Sequence, residues 1–559
     1  MILVFNHFLV LSCCFLFVYT AFCLSSDGFT LLSLSRHWTS VPSSIISDWN
    51  ASDPTPCSWL GVECDNTTHR VVAVNLTGFE ISGKLGPEVG QLSFLQTIDL
   101  SNNGFFGEVP SQLGNSTLLD SLDLSVNGFT GEIPENFKQL LEYVFLNQIN
   151  FSGSISGHIS NLSNVIELRL YVNQLSGVIP ESIGNCSKLE GLYLHDNQLV
   201  GSLPKSLTNL ESLVYLYVSN NSIEGRIPLG FGNLKNLSIL VLSFNDYIGG
   251  LPPDLGNCSS LTKLAIAYSN LTGSIPFSFS LLHKLNYFFL SGNRLSGPIP
   301  KPIGNCSRLE YLNLDGNQLL SLGNNSLEGS IPLGFGNLKN LSVLYLYHCG
   351  FTGGLPEDLS NCSSLTRISI AKNNLTGNIP SSYGLLKKLS ILELTENQLY
   401  GTIPSSLFAL PSLKYLLLSG NRFIGLLNQF QSDPKFLNLS LPDLARNKLA
   451  GEFPSWVCEL ELLRFLDFSR NNLKGALPQC LGNFSSNLSW LHLSGNNFQG
   501  PIPTSFSVEC SLKFMSFNGN AMNGNIPQSI VNCGNLELVD LGNNMIEDAF
   551  PKFSERVFQ

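Results

Sequence analysis

Aromatic and basic side chains recur at regular intervals through the middle of the chain, and they are the residues best suited to bind a ligand. Most of them lie between two aliphatic residues, as in Leu192-Tyr193-Leu194. Because successive strand residues face opposite ways, a ring between two buried neighbours faces outward. Exposed rings and guanidinium groups supply rigid apolar area and cation–π contacts. The predicted ligand-binding residues are Phe145, Arg169, Tyr171, Tyr193, His195, Tyr217, Phe244, Tyr268, Phe289, Tyr345, Tyr347 and His348.

The sequence contains no pattern that predicts catalysis or metal binding. Its 8 His residues are scattered, no Gly-rich phosphate loop precedes a catalytic Asp, and no cysteine spacing matches a metal site. We therefore expect no enzymatic activity and no cofactor. Glu393 and Glu396 follow the last rings and are placed to receive a basic or amino group of a ligand. Strands favour aromatic residues in general, but the confinement of these rings to one run of turns favours binding.

A repeat of 24 residues sets the positions of the rings. Asn173, Asn197, Asn221 and Asn245 mark it, in the frame Leu-x-x-Leu-x-Leu-x-x-Asn-x-Leu-x-Gly-x-Ile-Pro. Each turn opens with a short strand whose leucines point inward, and successive strands pair in parallel about 4.8 Å apart. The Asn amide is suited to bridging backbone groups of adjacent turns. Because each turn buries its leucines only against its neighbours, the array is a solenoid with a long concave face.

The frame is typical of leucine-rich repeats. It predicts a leucine-rich repeat solenoid, mainly parallel β with short 3-10 helices, wound as a right-handed superhelix of about twenty repeats. We expect a signal peptide at 1–23, an N-terminal cap at 24–70, repeats at 71–552 and a tail without a complete cap at 553–559. The repeat spacing is irregular near 319–325 and 425–440.

The N-terminal segment and the many glycosylation sequons predict a secreted or cell-surface protein. Residues 8–22 form an apolar run that ends in small residues suited to cleavage, although no Lys or Arg precedes it. A non-cleaved anchor is the alternative, but the run is short for a membrane span. Membrane association is otherwise expected only if further C-terminal sequence exists. The predicted glycosylation sites are Asn50, Asn66, Asn75, Asn115, Asn161, Asn236, Asn270, Asn340, Asn438 and Asn487.

Composition limits the class of partner. Charged residues make up 13% of the chain, and the formal net charge is -11. An acidic chain argues against a nucleic-acid partner and mildly favours neutral or basic ligands. Ordinary solubility of an acidic protein is the favoured explanation of the same charge balance.

The cysteines fall into three groups. Cys57 and Cys64 precede the first repeat, where a disulfide-stapled cap would cover the exposed end of the core. Cys458 and Cys480 lie on neighbouring turns in similar registers, and the sequence leaves their pairing open. Five others share one register on non-adjacent turns, which predicts buried apolar side chains rather than disulfide partners. These five are Cys186, Cys258, Cys306, Cys362 and Cys533.

A block of roughly four turns is duplicated within the chain. Residues 220–237 recur almost verbatim at 324–341, and the likeness continues to 261 and 365. The outward strand positions differ, since Val241, Ser243 and Phe244 are replaced by Tyr345, Tyr347 and His348. We infer that the outward face carries the specificity, although unconstrained drift would look similar. We expect residues 319–325, at the junction, to form a loop.

Several motifs resemble plant extracellular leucine-rich repeat proteins. The segment Leu295-x-Gly297-x-Ile299-Pro300 resembles the repeat of that class, and the Cys57/Cys64 cap resembles its N-terminal cap. Up to about residue 400, the Ser26-Asp27-Gly28 stretch and the Gly-Asn-Cys-Ser-x-Leu turns resemble ectodomains of plant receptor kinases, in particular receptors for endogenous elicitor peptides. From about residue 441, segments such as 454–458 resemble receptor-like proteins, which lack a kinase.

This resemblance implies an extracellular recognition module of defence or development. Such a module binds a peptide ligand on its concave face and signals through a partner or co-receptor kinase. The alternative is a secreted inhibitor of a cell-wall hydrolase, similar to plant polygalacturonase-inhibiting proteins, which have about half as many turns. A truncated receptor is the third possibility, because Asp548 replaces the last repeat glycine and no second cysteine cap precedes Gln559.

Overall fold

The computed structural model describes residues 24–137, 141–317, 329–427, 438–483 and 487–547. The predicted signal peptide, junction loop and C-terminal tail therefore lie outside the described residues. The chain divides into two compact units, Met1–Ser222 and Ile223–Gln559. Each unit is a stack of leucine-rich repeat turns with parallel strands and short 3-10 helices, as the sequence predicts. Within the described ranges, no helix combines the length and apolar character needed to cross a bilayer.

The first strand of each turn belongs to what we call the main sheet. Its strands are three residues long in most turns, and the central Leu is buried while its neighbours face out. The first two strands of the first unit pair antiparallel and the later ones pair in parallel. In the first unit the strands are Val62–Cys64, Val71–Asn75, Thr97–Asp99, Ser121–Asp123, Tyr143–Phe145, Glu167–Arg169, Gly191–Tyr193 and Tyr215–Tyr217.

The main sheet of the second unit is parallel throughout its described pairings. Its strands are Ile239–Val241, Lys263–Ala265, Tyr287–Phe289, Tyr311–Asn313, Val343–Tyr345, Arg367–Ser369, Ile391–Glu393, Tyr415–Leu417, Leu441–Asp443, Phe465–Asp467, Trp490–His492, Phe514–Ser516 and Leu538–Asp540.

Many turns add a second short strand after the repeat asparagine, where the repeat glycine has positive φ, as at Gly201. In the first unit these strands are Ser82–Gly83, Gly104–Glu108, Gly128–Gly131, Asn150–Phe151, Ser176–Val178 and Gln198–Gly201. The cap strand Trp38–Ser40 pairs antiparallel with the first of them. Ser222–Gly225 begins at the last residue of that unit. In the second unit they are Asp246–Gly249, Asn270–Gly273, Arg294–Leu295, Tyr400–Thr402, Arg422–Leu426, Lys448–Glu452, Asn472–Ala476, Asn497–Gly500, Ala521–Gly524 and Met545–Ile546.

Short helices close the turns on the side away from the main sheet, which we call the helical side. The α-helices are Ser26–Ser35 and Ser43–Asp48 in the cap and Ser405–Phe408 in the second unit. The 3-10 helices of the first unit are Pro87–Gln91, Ser111–Asn115, Gly157–Asn161, Glu181–Asn185 and Lys205–Asn209. Those of the second unit are Phe231–Asn233, Pro253–Asn257, Phe277–Leu281, Lys301–Asn305, Phe335–Asn337, Glu357–Asn361, Ser381–Leu385, Ser455–Glu459, Gln479–Gly482 and Gln528–Asn532.

The repeat asparagines join adjacent turns, as predicted. Asn173 Nδ2 donates to the carbonyl of Leu146 on the preceding turn at 2.8 Å and to Leu170 on its own turn at 3.1 Å. Its Oδ1 accepts the N–H of Phe151 at 3.0 Å. One side chain thus satisfies three backbone groups inside the stack, so its loss would leave buried polar groups without partners.

The N-terminal cap is held by a disulfide and a buried ion pair. Cys57 and Cys64 are bonded, as predicted. Asp27 is 2% exposed and receives two hydrogen bonds of 2.9 Å from the Arg70 guanidinium, plus one from the N–H of Val71. A buried carboxylate is stable when its lone pairs are filled in this way. Asp27 therefore fastens the first helix to the first repeat strand.

The prediction for Cys533 is wrong, because it forms a disulfide with Cys510. The two cysteines are 23 residues apart, about one repeat, so they lie on adjacent turns. Cys458 and Cys480, whose pairing the sequence left open, are also bonded. The other four cysteines of that register are free and buried, as predicted, and each thiol also donates to a carbonyl of the preceding turn, as Cys258 does to Phe231 at 3.2 Å.

Candidate ligand-binding face

The open face of the main sheet, turned away from the leucine core, presents three rows of side chains. The rows follow from strand alternation: on one turn Tyr143, Phe145 and Asn147 alternate with the buried Val144 and Leu146. We call the corresponding positions of every turn the first, second and third rows. Because the strands pair in register, each row continues from turn to turn within a unit.

The second row of the first unit joins four predicted residues. Phe145, Arg169, Tyr193 and Tyr217 are register partners on consecutive strands. The Arg169 guanidinium lies 4.2 Å from the Phe145 ring centroid and 5.7 Å from that of Tyr193, and it also pairs with Glu167 at 2.8 Å. The rings of Tyr193 and Tyr217 stack at 5.2 Å. These contacts hold the side chains in one arrangement before any ligand arrives.

The third row of the first unit stacks a tyrosine on a histidine. The rings of Tyr171 and His195 are 4.5 Å apart and nearly parallel. Burial lowers the pKa of His195, so the imidazole is neutral at pH 7. Its Nδ1 is buried and makes no hydrogen bond within the described part of the chain. Burial likewise raises the pKa of Tyr193 to about 12, so both groups meet a ligand uncharged.

Backbone N–H groups of the third row face the same way as the rings. On the turns before the rings, Asp99 and Asp123 accept the N–H groups of Ser101 and Ser125, each at 2.9 Å. A phenylalanine ring or the Arg169 guanidinium in the second row cannot accept in this way, so the N–H groups that follow lack this acceptor. Those without an acceptor among the described residues include Asn147, Tyr171 and His195.

A second ring cluster lies on the second unit. The Phe289 and Tyr311 rings are 4.7 Å apart and tilted, and Tyr311 meets Tyr345 edge-on at 5.7 Å. Two cations border this cluster on the following turn. Arg367 lies 3.5 Å from the Tyr345 hydroxyl, and the Lys372 ammonium is 5.4 Å from the Tyr347 ring centroid.

Three of the predicted ligand-binding residues lie outside the strands in which the sequence placed them. Phe244, Tyr268 and His348 do not lie in the strands but one residue before the repeat asparagine position, with φ of 57°, 50° and 53°. Nearly every described turn has positive φ there, so the repeat imposes this conformation and the rings do not cause it. Phe244 and Tyr268 are more than half exposed and stack at 4.7 Å, at the border of the open face.

The ligand-binding residues predicted from the sequence include none of the first row. Its rings include Tyr143, Tyr215, Tyr287, Tyr311 and Tyr415, and farther along Phe465, Trp490 and Phe514. The last three stack in series, at 5.6 Å and 3.8 Å. Rings are therefore not confined to the run from Phe145 to Tyr347, so confinement no longer supports binding. Strict alternation from the buried leucines would have identified these positions.

The two glutamates proposed to receive a basic group differ in their surroundings. Glu393 lies in the second row and accepts the hydroxyl hydrogen bond of Ser369 at 2.7 Å. Glu396 is exposed at the positive-φ position. Neither belongs to the ring clusters, so their role stays a prediction.

The predicted glycosylation sites are accessible. Eight are exposed, and Asn270 and Asn438 are half-buried. Asn75 lies in the second row, so a glycan there would cover the open face at the first repeat. No group of three or more His, Cys, Asp or Glu side chains able to hold a metal occurs among the described residues.

Family models match most of the repeat array and the cap. A leucine rich repeat N-terminal domain model matches residues 24–65. One leucine rich repeat model matches 259–319 and 358–423. Another matches single repeats at 94–116, 118–140, 164–186, 188–210, 212–234, 318–338, 340–362, 462–484 and 487–508.

Similar proteins are plant receptors. A receptor-like protein kinase of Ipomoea nil is 54% identical over 93 residues, which are 17% of this chain and 8% of that receptor. The chain therefore spans a small part of this curated relative's length. A crystal structure of PEPR1 with AtPEP1 is 35% identical, with a TM-score of 0.72, over 95% of this chain and 84% of that one.

The receptor kinase HAESA of Arabidopsis, in complex with the peptide hormone IDA and the co-receptor SERK1, is a more distant structural neighbour. It is 26% identical with a TM-score of 0.65, over 94% of this chain and 98% of that one.

Proposed function

Because this chain belongs to the leucine-rich repeat family and is homologous to ectodomains of plant receptor kinases, we propose that it binds a peptide on the open face of its main sheet. It acts outside the cell or at the cell surface, in plant defence or development. The neighbouring receptors PEPR1 and HAESA are each described in complex with a peptide. The observation that carries the proposal for this chain is the set of ordered, part-exposed rings on that face.

The ring rows suit an extended peptide better than a compact ligand. Stacked rings such as Tyr193 and Tyr217 present rigid apolar edges at each turn, and little side-chain entropy is lost when a ligand covers them. Neighbouring N–H groups, such as that of Tyr171, supply donors for peptide carbonyls. A peptide laid across the strands meets the same pair of features at successive turns.

Signalling then depends on a partner, for which a co-receptor kinase is the candidate. The matched family models cover repeats and the N-terminal cap. HAESA is described with the co-receptor SERK1, and an equivalent partner for this chain is part of the proposal.

The proposal is tested with the full secreted chain and a library of synthetic linear peptides. Bound peptides are measured by calorimetry against the wild type and the double variant Tyr193→Ala/Tyr217→Ala. Loss of two central rings should weaken binding at least tenfold, about 1.4 kcal/mol, because buried aromatic contacts dominate such surfaces.

Phe106→Ala is the matched control, because this ring is exposed on the second strand of another turn of the same unit. Its affinity should equal that of the wild type. Equal affinity of the double variant and the wild type would contradict the proposal. Tight inhibition of a pectin-degrading enzyme, without peptide binding, would favour the inhibitor function instead.

A further inference from the structure

Asp315 is a part-buried carboxylate on the same turn as Tyr311 of the second ring cluster. It occupies the third row, two residues after the end of the strand Tyr311–Asn313. It lies beside Tyr347 of the next turn. Its Oδ1 accepts the N–H of Tyr347 at 2.6 Å. Its second oxygen has no hydrogen-bond donor among the described residues, and no ion pair with Lys, Arg or His is formed there. Burial raises its pKa to about 6.

Two aspartates on the open face of this unit use both of their oxygens. Asp443 accepts the Ser419 hydroxyl at 2.6 Å on one oxygen and the N–H of Ala445 at 3.1 Å on the other. Asp467 accepts the N–H of Ser469 and contacts the His492 imidazole, both at 2.9 Å. Asp315 differs because one of its two oxygens has no donor among the described residues, although the side chain is part-buried.

Two tyrosines neighbour this carboxylate, Tyr347 through its backbone N–H and Tyr311 electrostatically, and the cations of the following turn contact tyrosines instead. Asp315 acts electrostatically on the Tyr311 hydroxyl, whose pKa is raised by burial first, then by Tyr345 and Asp315. Arg367 donates to the Tyr345 hydroxyl, and Lys372 lies over the Tyr347 ring. A charge removed from water without a counter-charge is costly, and a cation supplied by a ligand would offset that cost. The same cation would gain from adjacent ring faces.

We propose that Asp315 receives a cationic group of the peptide ligand, an Arg or Lys side chain or a terminal amine, within the ring cluster of the second unit. This inference rests on the proposed peptide-binding function and names the chemical class of one ligand residue. Asp315 thus replaces Glu393 and Glu396 as the acid expected to meet a basic ligand group.

The test uses the full chain and a synthetic peptide library in which each sequence carries Arg, citrulline or Glu at one position. Citrulline keeps the shape of Arg without its charge. The wild type should bind the Arg peptide at least tenfold more tightly than the citrulline peptide. Asp315→Asn keeps an oxygen for the Tyr347 N–H but removes the charge, so the preference should disappear. Asp443→Asn, the matched control, should retain it.

Acidification gives a second readout that needs no variant. Cation binding requires the carboxylate, so the affinity for the Arg peptide should fall about tenfold between pH 7.5 and pH 5, while citrulline binding changes little. Tyr311, Cys349 and Glu393 interact electrostatically with Asp315. The other charged or titratable groups contact the neighbouring tyrosines: Arg367 at Tyr345, and Lys372 and His348 at Tyr347. Repeating the titration in His348→Gln separates the histidine contribution.

The outcomes distinguish the two proposals. Peptide binding that needs Tyr193 and Tyr217 but shows no Arg preference, or an unchanged preference in Asp315→Asn, would overturn the role of Asp315 alone. If no peptide binds, the proposed function fails and the role of Asp315 fails with it.

Discussion

The two copies of the duplicated block keep the same hydrogen bonds on one side of the repeat and differ on the other. On the helical side, Asp254 accepts the N–H groups of Gly230 and Gly232 at 2.7 Å and 3.1 Å. In the second copy, Asp358 accepts those of Gly334 and Gly336 at 2.7 Å and 3.2 Å. The lysine contacts also match, with Lys235 at 3.0 Å from Asn257 O and Lys339 at 3.2 Å from Asn361 O.

The open face of the same two copies has changed. In the first copy the Ser243 hydroxyl accepts the N–H of Ala267 at 3.0 Å, so this backbone donor already has a partner. Tyr347 stands at the same position in the second copy, and its own N–H is held by Asp315. Helical-side contacts are the stack's internal packing, so a change there costs stability. On the open face the bonded group itself differs between the copies, so this side tolerates the changes that recognition needs.

The repeat asparagines offer the largest test of this comparison. The first copy has Asn245 followed by Ser269, and the second has Cys349 followed by Asn373. Asn373 accepts the N–H groups of Cys349 and Phe351 and donates to Leu346 O at 2.8 Å. Asn373→Ser, which installs the residue of the first copy, should lower the free energy of unfolding by about 3 kcal/mol in urea, since several buried backbone groups lose partners.

The exposed neighbour Asn374 supplies the control, and Asn374→Ser should change stability by less than about 0.5 kcal/mol. The reverse exchange, Ser269→Asn, should stabilise by about 1 kcal/mol, because the Ser269 hydroxyl is buried without a partner among the described residues. A stability of Asn373→Ser equal to that of the wild type would show that the asparagine bonds do not support the stack.

The aspartates of the helical side test whether the two copies are energetically equivalent. Asp254→Ala and Asp358→Ala each remove one acceptor from two glycine N–H groups, so each should cost about 1–2 kcal/mol in the same urea experiment. The two losses should agree because the bonded distances agree within 0.1 Å. Costs that differ by more than about 1 kcal/mol would mean that the copies are no longer equivalent on this side.

The repeat and its cap could be predicted from the sequence because both rest on local rules. Period-2 alternation sets which side chains are buried, and the recurring asparagine sets the contact between turns. The spacing of Cys57 and Cys64 before the first repeat likewise predicted a bond that the structure contains. These features require no knowledge of distant residues.

The site was only partly predictable, because its details depend on neighbouring turns. Cys533 shares its register with four free cysteines, and only Cys510 on the adjacent turn distinguishes it. Phe244 and Tyr268 look like strand residues until the positive φ of the repeat is known. The open carboxylate oxygen of Asp315 depends on which donors the next turn supplies, and no motif records that.

The claim that the open face recognises the ligand while the helical side only supports it has one direct test. The full chain is given the open-face residues of the first copy through Tyr345→Val, Tyr347→Ser and His348→Phe, and calorimetry measures its affinity for a library-selected peptide. The control transfers the helical-side residues of the first copy through Glu357→Pro and Ser360→Gly. We expect the face exchange to weaken peptide affinity at least tenfold and the control to leave it unchanged. Unchanged affinity after the face exchange, or an equal loss in both, would contradict it.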